Sequence, residues 1–121
     1  MRRHENHVMR ITFMQSGGFV GTIKGCVLTA AELTSDERQE LEALVVAGGL
    51  AGSSERFSEA GRDLRHYDIM IEQDTAVHSL SCDDRSVPEA VRPLVAFLQT
   101  RARPQPPDFA ARLGRSGTDR T

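Results

Sequence analysis

The stretch Gln15-Ser-Gly-Gly-Phe-Val-Gly21 constrains this chain more than any other. Glycines so close together cost conformational entropy and bury almost nothing, so a turn or a close backbone approach must require them. The flanks say which. Val8–Met14 alternates, with Met9, Ile11 and Phe13 on one face and Arg10, Thr12 and Met14 on the other, which is the period of a strand. Phe19–Leu28 follows with Val20, Thr22, Ile23 and Val27, β-branched residues that suit a pleated surface. Two strand-like runs joined by Ser-Gly-Gly predict a β-hairpin, with Gly17 and Gly18 supplying the positive φ of its turn. Gly21 and Gly25 fall inside the second run, where glycine predicts a bulge or a close neighbour.

The period then changes. Thr34-Ser-Asp-Glu37 is a capping-box pattern with acids in the first turn. Leu41, Leu44 and Val45 make one apolar stripe, and Gly48-Gly49 supplies the stop. A helix is predicted over 34–47. Residues 48–63, rich in Gly and Ser, read as a long loop. Leu64–Glu72 returns to period two, with Tyr67, Ile69 and Ile71 opposite His66, Asp68, Met70 and Glu72. Gln73–Ala76 reads as a turn and Val77–Cys82 as a fourth strand. Ser86-Val-Pro-Glu89 is a second capping-box pattern, and Val91, Leu94, Val95 and Leu98 recur at helical spacing. Pro93 interrupts that spacing, so it either kinks the helix or starts it afresh after an initial turn.

The order is ββα–ββα. It predicts an α+β domain: a four-stranded, mainly antiparallel sheet with two helices on one face. Residues 1–8 form a polar leader and 9–102 the domain. From 103 to 121, Pro, Gly, Arg and Asp with few apolar groups predict a disordered basic tail.

Charge and cysteine usage narrow the function classes. The formal net charge is -2, too small an imbalance to make nucleic acid the expected partner. Residues 101–121 carry five Arg and two Asp, a pattern expected of a solvated tail. No signal-peptide core and no membrane-length apolar run is present, so a cytoplasmic protein away from membranes is expected. Cys26 and Cys82 lie far apart in sequence, which predicts reduced thiols and no metal site.

The chemical constellations are thin. His4 and His7 have i, i+3 spacing, whereas a helical zinc pair needs i, i+4. His66 and His78, with Asp68 near, would need a shared pocket to act as a metal or general-base site. Cys82-Asp83-Asp84 sets a thiol beside acids, which raise its pKa rather than activate it. The Gly-rich stretch leads from strand to strand, not from strand to helix, so it is not a phosphate loop. These absences disfavour an enzyme, and no cofactor is expected. A small hydrolase using His66, His78 and Asp68 ranks last among the readings.

The run Met9-Arg-Ile-Thr-Phe-x-x-Ser-Gly-Gly-Phe-x-Gly21 resembles the opening of the emfourin family, small protein inhibitors associated with protealysin, a thermolysin-like metallopeptidase. The similarity continues through the Glu- and Leu-rich helix at Ser35–Ala47, the Tyr67-Asp-Ile run and Val91-Arg-Pro-Leu-Val-Ala-Phe-Leu98. It covers about residues 9–102 and omits the leader and the tail, which makes Met9 a candidate start. The resemblance implies a non-enzymatic inhibitor of thermolysin-family zinc peptidases, acting by occluding the active-site cleft. It makes Ser16, Gly17, Gly18, Phe19, Val20 and Gly21 the candidate protease-binding residues, on a molecule expected to be monomeric. An extended, Gly-rich tip would enter such a cleft with little steric cost, and strand-like backbone bonding would supply affinity. Packing of Phe19 into the core is the competing role for that residue. The alternative is a protein-binding or oligomerisation module with no protease target.

Overall fold

Apolar side chains at every second position require a sheet with one covered face. The computed structural model, which describes residues 9–17, 23–56, 64–73 and 75–113, builds that sheet. Strands β1 (Met9–Gly17), β2 (Lys24–Thr29), β3 (Ser53–Arg56), β4 (Arg65–Gln73), β5 (Ala76–Asp83) and β6 (Arg103–Pro104) form one sheet in the order β3-β5-β4-β1-β2-β6. Helices α1 (Ser35–Gly48) and α2 (Arg92–Gln99) pack on one face. Short 3-10 turns at Ala30–Glu32 and Glu89–Val91 lead into them, and a seven-residue 3-10 helix, Pro107–Leu113, follows β6.

The core follows from the register. Ile11 pairs with Ile71 and Phe13 with Ile69 between β1 and β4, and Ile69 pairs with Leu80 across β5. Paired residues share a face, so these side chains form one apolar layer. Leu41 of α1 and Leu94 and Leu98 of α2 close over it, each with no exposed surface. The Phe13 and Tyr67 rings stack at 6.1 Å within the layer.

Helix α1 starts and stops where its sequence dictates. Thr34 accepts from the Glu37 amide while the Glu37 carboxylate accepts from the Thr34 amide, a complete capping box. Gly49 takes the left-handed conformation at φ 63° and ends the helix. The second capping-box pattern does not form. Ser86 instead donates its amide to Asp83 Oδ1 at 3.0 Å, and Pro88 opens a 3-10 turn without a side-chain cap. Pro93 then stands in the first turn of α2, where its missing N–H costs nothing. The helix starts afresh rather than kinking.

The four-stranded, mainly antiparallel sheet with two helices is overturned, and of the tail expected to be disordered, residues 103–113 carry structure while 114–121 lie outside the described residues. The class is α+β, but the sheet has six strands and is mixed, and a third, 3-10 helix is present. β3 lies in the stretch read as loop and runs parallel to β5. Its residues, Ser-Ser-Glu-Arg, carry no apolar alternation. An edge strand is held by backbone bonds that need none, and Ser79 Oγ donates to Ser53 Oγ at 3.0 Å. β6 is the two-residue strand on the other edge, where proline is tolerated.

Residues 103–113, expected as disordered, are anchored. The Gln105 amide donates to the Ile23 carbonyl at 2.8 Å, and Gln105 Nε2 donates to the Gly25 carbonyl at 3.0 Å. Phe109, buried in the 3-10 helix, lies against Gly25 on the face opposite α1 and α2. A Cβ on Gly25 would stand 2.4 Å from Phe109 Cε2 and 2.5 Å from the Phe13 carbonyl oxygen. The close neighbour expected at this strand glycine is therefore an aromatic ring supplied by the C-terminal segment.

Candidate functional site

Ser16 and Gly17 close β1, and the structure places both. Ser16 pairs with His66 and Gly17 with Arg65 of β4. The last pair between β1 and β2 is Gln15 with Lys24. Gly17 is thus not a turn residue of a tight hairpin, as its sequence position suggested. It extends β1 against β4 at φ 94°, and a Cβ there would lie 2.9 Å from the Leu64 carbonyl oxygen. Both the torsion and the contact require glycine. Gly18, Phe19, Val20 and Gly21 lie outside the described residues, and with them the expected roles of Gly18 in the turn, Gly21 in a bulge and Phe19 in the core.

The stalk that carries this stretch is fixed by side chains that sequence reasoning missed. Gln99, the last residue of α2, donates through Nε2 to Gln15 Oε1 at 2.9 Å and to the Tyr67 hydroxyl at 3.4 Å. The Tyr67 hydroxyl in turn donates to Asp84 Oδ1 at 2.7 Å. Burial, and then the bond and charge of Asp84, push the Tyr67 hydroxyl pKa above its ordinary value, so it stays a donor. The chain of bonds ties β1, β4, α2 and the turn after β5 together near the end of β1. A notch of about 140 Å³ opens beside it, with Tyr67, Asp84, Arg92 and Gln99 among its walls. The sequence signal was slight: Tyr67 is the chain's single tyrosine, and nothing about Gln99 marks its role.

The turn beneath the notch is capped from inside. Asp83, fully buried, accepts the Arg85 amide at 3.1 Å and the Ser86 amide at 3.0 Å through Oδ1. The Asp84 amide donates to the Arg65 carbonyl at 3.0 Å, which holds the turn to the start of β4.

The other constellations do not converge. His66 pairs with Asp83 and His78 with Ile71, so the two histidines stand on opposite faces of the sheet, five registers apart. His78 Nδ1 accepts the Gly52 amide at 2.8 Å, a structural task. Ser81 Oγ donates to Asp68 on the face away from α1 and α2. Cys82 is fully buried, and burial, followed by the charges of Asp68 and Asp83, pushes its thiol up to about 11. Strands β4 and β1 separate it from Cys26, about 14 Å at the usual strand spacing, so the two thiols do not meet. Among the described residues no cluster of three His, Cys, Asp or Glu is placed to hold a metal ion. His4 and His7 lie outside the described residues. No helix of the described residues is long and apolar enough to cross a membrane.

The structure therefore presents a pinned, Gly-closed strand end beside a notch with both polar and apolar walls. The emfourin family model matches residues 13–99, well over half of the chain, and the chain belongs to that family. The family is one of inhibitors. No curated protein and no solved structure matches the chain.

Proposed function

We propose that this protein inhibits thermolysin-family zinc metallopeptidases by seating residues 16–21 in the active-site cleft. Membership of an inhibitor family supports the class of function. The observation that carries the cleft-occluding reading is the fixation of β1 at its loop end, where Gln15 is held by Gln99 and Gly17 is packed on the Leu64 carbonyl. An inhibitor that presents an extended segment must resist its target's chemistry, and a segment held rigidly loses little entropy on binding. Affinity then comes from strand-like backbone bonds, with Phe19 or Val20 as the apolar anchor.

The test is a residual-activity titration. A thermolysin-like peptidase is mixed with increasing protein while hydrolysis of a small peptide substrate is followed. Stoichiometric, saturable loss of activity is expected, with none for a serine protease. No loss against several such peptidases would overturn the reading and leave a protein-binding module. Rapid cutting within residues 15–21, with loss of inhibition, would overturn the mode of action.

A further inference from the structure

The sheet topology gathers cations at one end. β1 and β5 finish there and β2 and β4 begin there, so Lys24 and Arg65 flank the stalk of the loop. β3 runs parallel to β5 and ends at the same edge with Arg56, which pairs with Cys82. The turn after β5 adds Arg85, and the first residue of α2 adds Arg92, a wall of the notch. All five side chains are exposed. Lys24, Arg56 and Arg65 pair with residues of the helix-covered face, so they lean to the same side as Arg92.

What sets these cations apart is that they gather at one end of the sheet; Arg38, Arg103 and Arg112, which also make no salt bridge among the described residues, are scattered over α1, β6 and the C-terminal 3-10 helix. Among the described residues, Arg10 is bridged to Glu72 at 2.8 Å and Arg101 to Glu37 at 3.2 Å, and no salt bridge holds the five. Among the described residues, the acids nearby are engaged or directed elsewhere. Asp83 is buried under two amides and Asp84 takes the Tyr67 hydroxyl. Glu55 pairs with Ser81 and so faces the other side of the sheet, and Glu89 stands beyond the turn in the 3-10 segment. The exposed acids Asp36, Glu40 and Glu42 lie on α1 instead. Arg65 also shares a side-chain hydrogen bond with Tyr67, but cations gathered without a salt bridge repel each other and persist at little cost only where water or an anionic partner covers them.

We propose that this end of the sheet is a basic docking rim, in which Lys24, Arg56, Arg65, Arg85 and Arg92 meet an acidic surface beside the cleft of the inhibited peptidase. The inference rests on the inhibitor reading and adds a second, charged contact to the loop. The rim speeds encounter and sets the orientation in which the loop arrives, while the loop supplies lifetime. A partner carboxylate at the mouth of the notch meets Arg92 there, while Gln99 and Asp84 in the same wall stay bonded to Gln15 and Tyr67.

The experiment measures the rate of onset of inhibition of a thermolysin-like peptidase at several salt concentrations. It uses the full chain and the triple variant Lys24→Gln, Arg56→Gln, Arg85→Gln, with Glu40→Gln, Glu42→Gln on α1 as control. Onset for the triple variant is expected to slow about tenfold at low salt, with a flatter salt dependence, while dissociation changes little. Thermal unfolding checks that the variant folds, and Arg92→Gln alone gives a milder version of the same shift. A wild type that inhibits with onset unchanged in the folded variants overturns the rim and leaves the inhibitor reading standing. A wild type that inhibits no such peptidase overturns both.

Discussion

The two faces of the sheet are built by different rules. The face under α1 and α2 is a continuous apolar layer in which Ile11, Phe13, Ile69, Ile71 and Leu80 come from alternating positions. The opposite face carries Thr12, Met14 and Asp68, all buried as well, yet among the described residues no α-helix covers them. There the cover includes a short 3-10 helix with one aromatic side chain, Phe109, seated where Gly25 leaves room. The first face is stabilised by area, since burial scales with apolar surface removed from water. The second is stabilised by shape at one position. A cleft of about 370 Å³ lies beside Leu113, walled by Asp68, Met70, Ser79 and Ser81 among others.

The contrast is sharpest for aromatic truncation. Phe13→Ala is expected to cost about 3–5 kcal/mol in denaturant unfolding, because a fully buried ring leaves a cavity in a layer packed on both sides. Phe109→Ala should cost about 2 kcal/mol, since the segment that carries the ring is able to settle into the space. Equal losses for the two would break the distinction between the faces.

Gly25→Ala tests the second face from the other side. The added methyl meets both the Phe109 ring and the Phe13 carbonyl, so a loss of at least about 1 kcal/mol is expected. In a double-mutant cycle with Phe109→Ala that loss should shrink without vanishing, because the carbonyl remains. A fully additive cycle would mean that the ring does not rest on Gly25.

Smaller effects belong to the first face's helix. Thr34→Ala removes the acceptor for the Glu37 amide and should cost about 1 kcal/mol by thermal unfolding. The Thr34 amide, and after it Arg101, hold the Glu37 carboxyl below the usual carboxylate range. A value depressed by folding contributes stability that is present above the unfolded-state pKa and is lost as pH falls through the folded-state one. Glu37→Gln, which still caps, should therefore be slightly less stable than wild type at neutral pH, and the gap should close in acid. A gap that widened in acid would contradict the assignment.

These differences also explain what was legible. The helix-covered face was, because Met9, Ile11 and Phe13, then Tyr67, Ile69 and Ile71, announce their strands by period, and Thr34, Glu37 and Gly49 announce α1. β3 was not, because edge pairing by backbone leaves no apolar signature in Ser-Ser-Glu-Arg. The C-terminal cover was hidden for a related reason: a single Phe among prolines and arginines has no period to detect. At the candidate site, the glycine pattern drew attention to Ser16 and Gly17, but Gly17's reason was not a turn. Gln15, Tyr67, Asp84 and Gln99 come together from distant parts of the chain, and only the register brings them within hydrogen-bond reach. The second capping-box pattern misled because Asp83 competes for the Ser86 amide from inside the fold.

The two cysteines have a consequence for where such a molecule can work. Each is buried, burial first of all pushes each thiol up to about 11, and two strands stand between them. A thiol that hardly ionises near neutral pH exchanges slowly with disulfides, and one that has no partner in reach gains nothing from an oxidant. The fold therefore neither needs nor registers the redox potential of its surroundings. The same native structure should serve in a reducing compartment and in an oxidising one, without an isomerase to mature it.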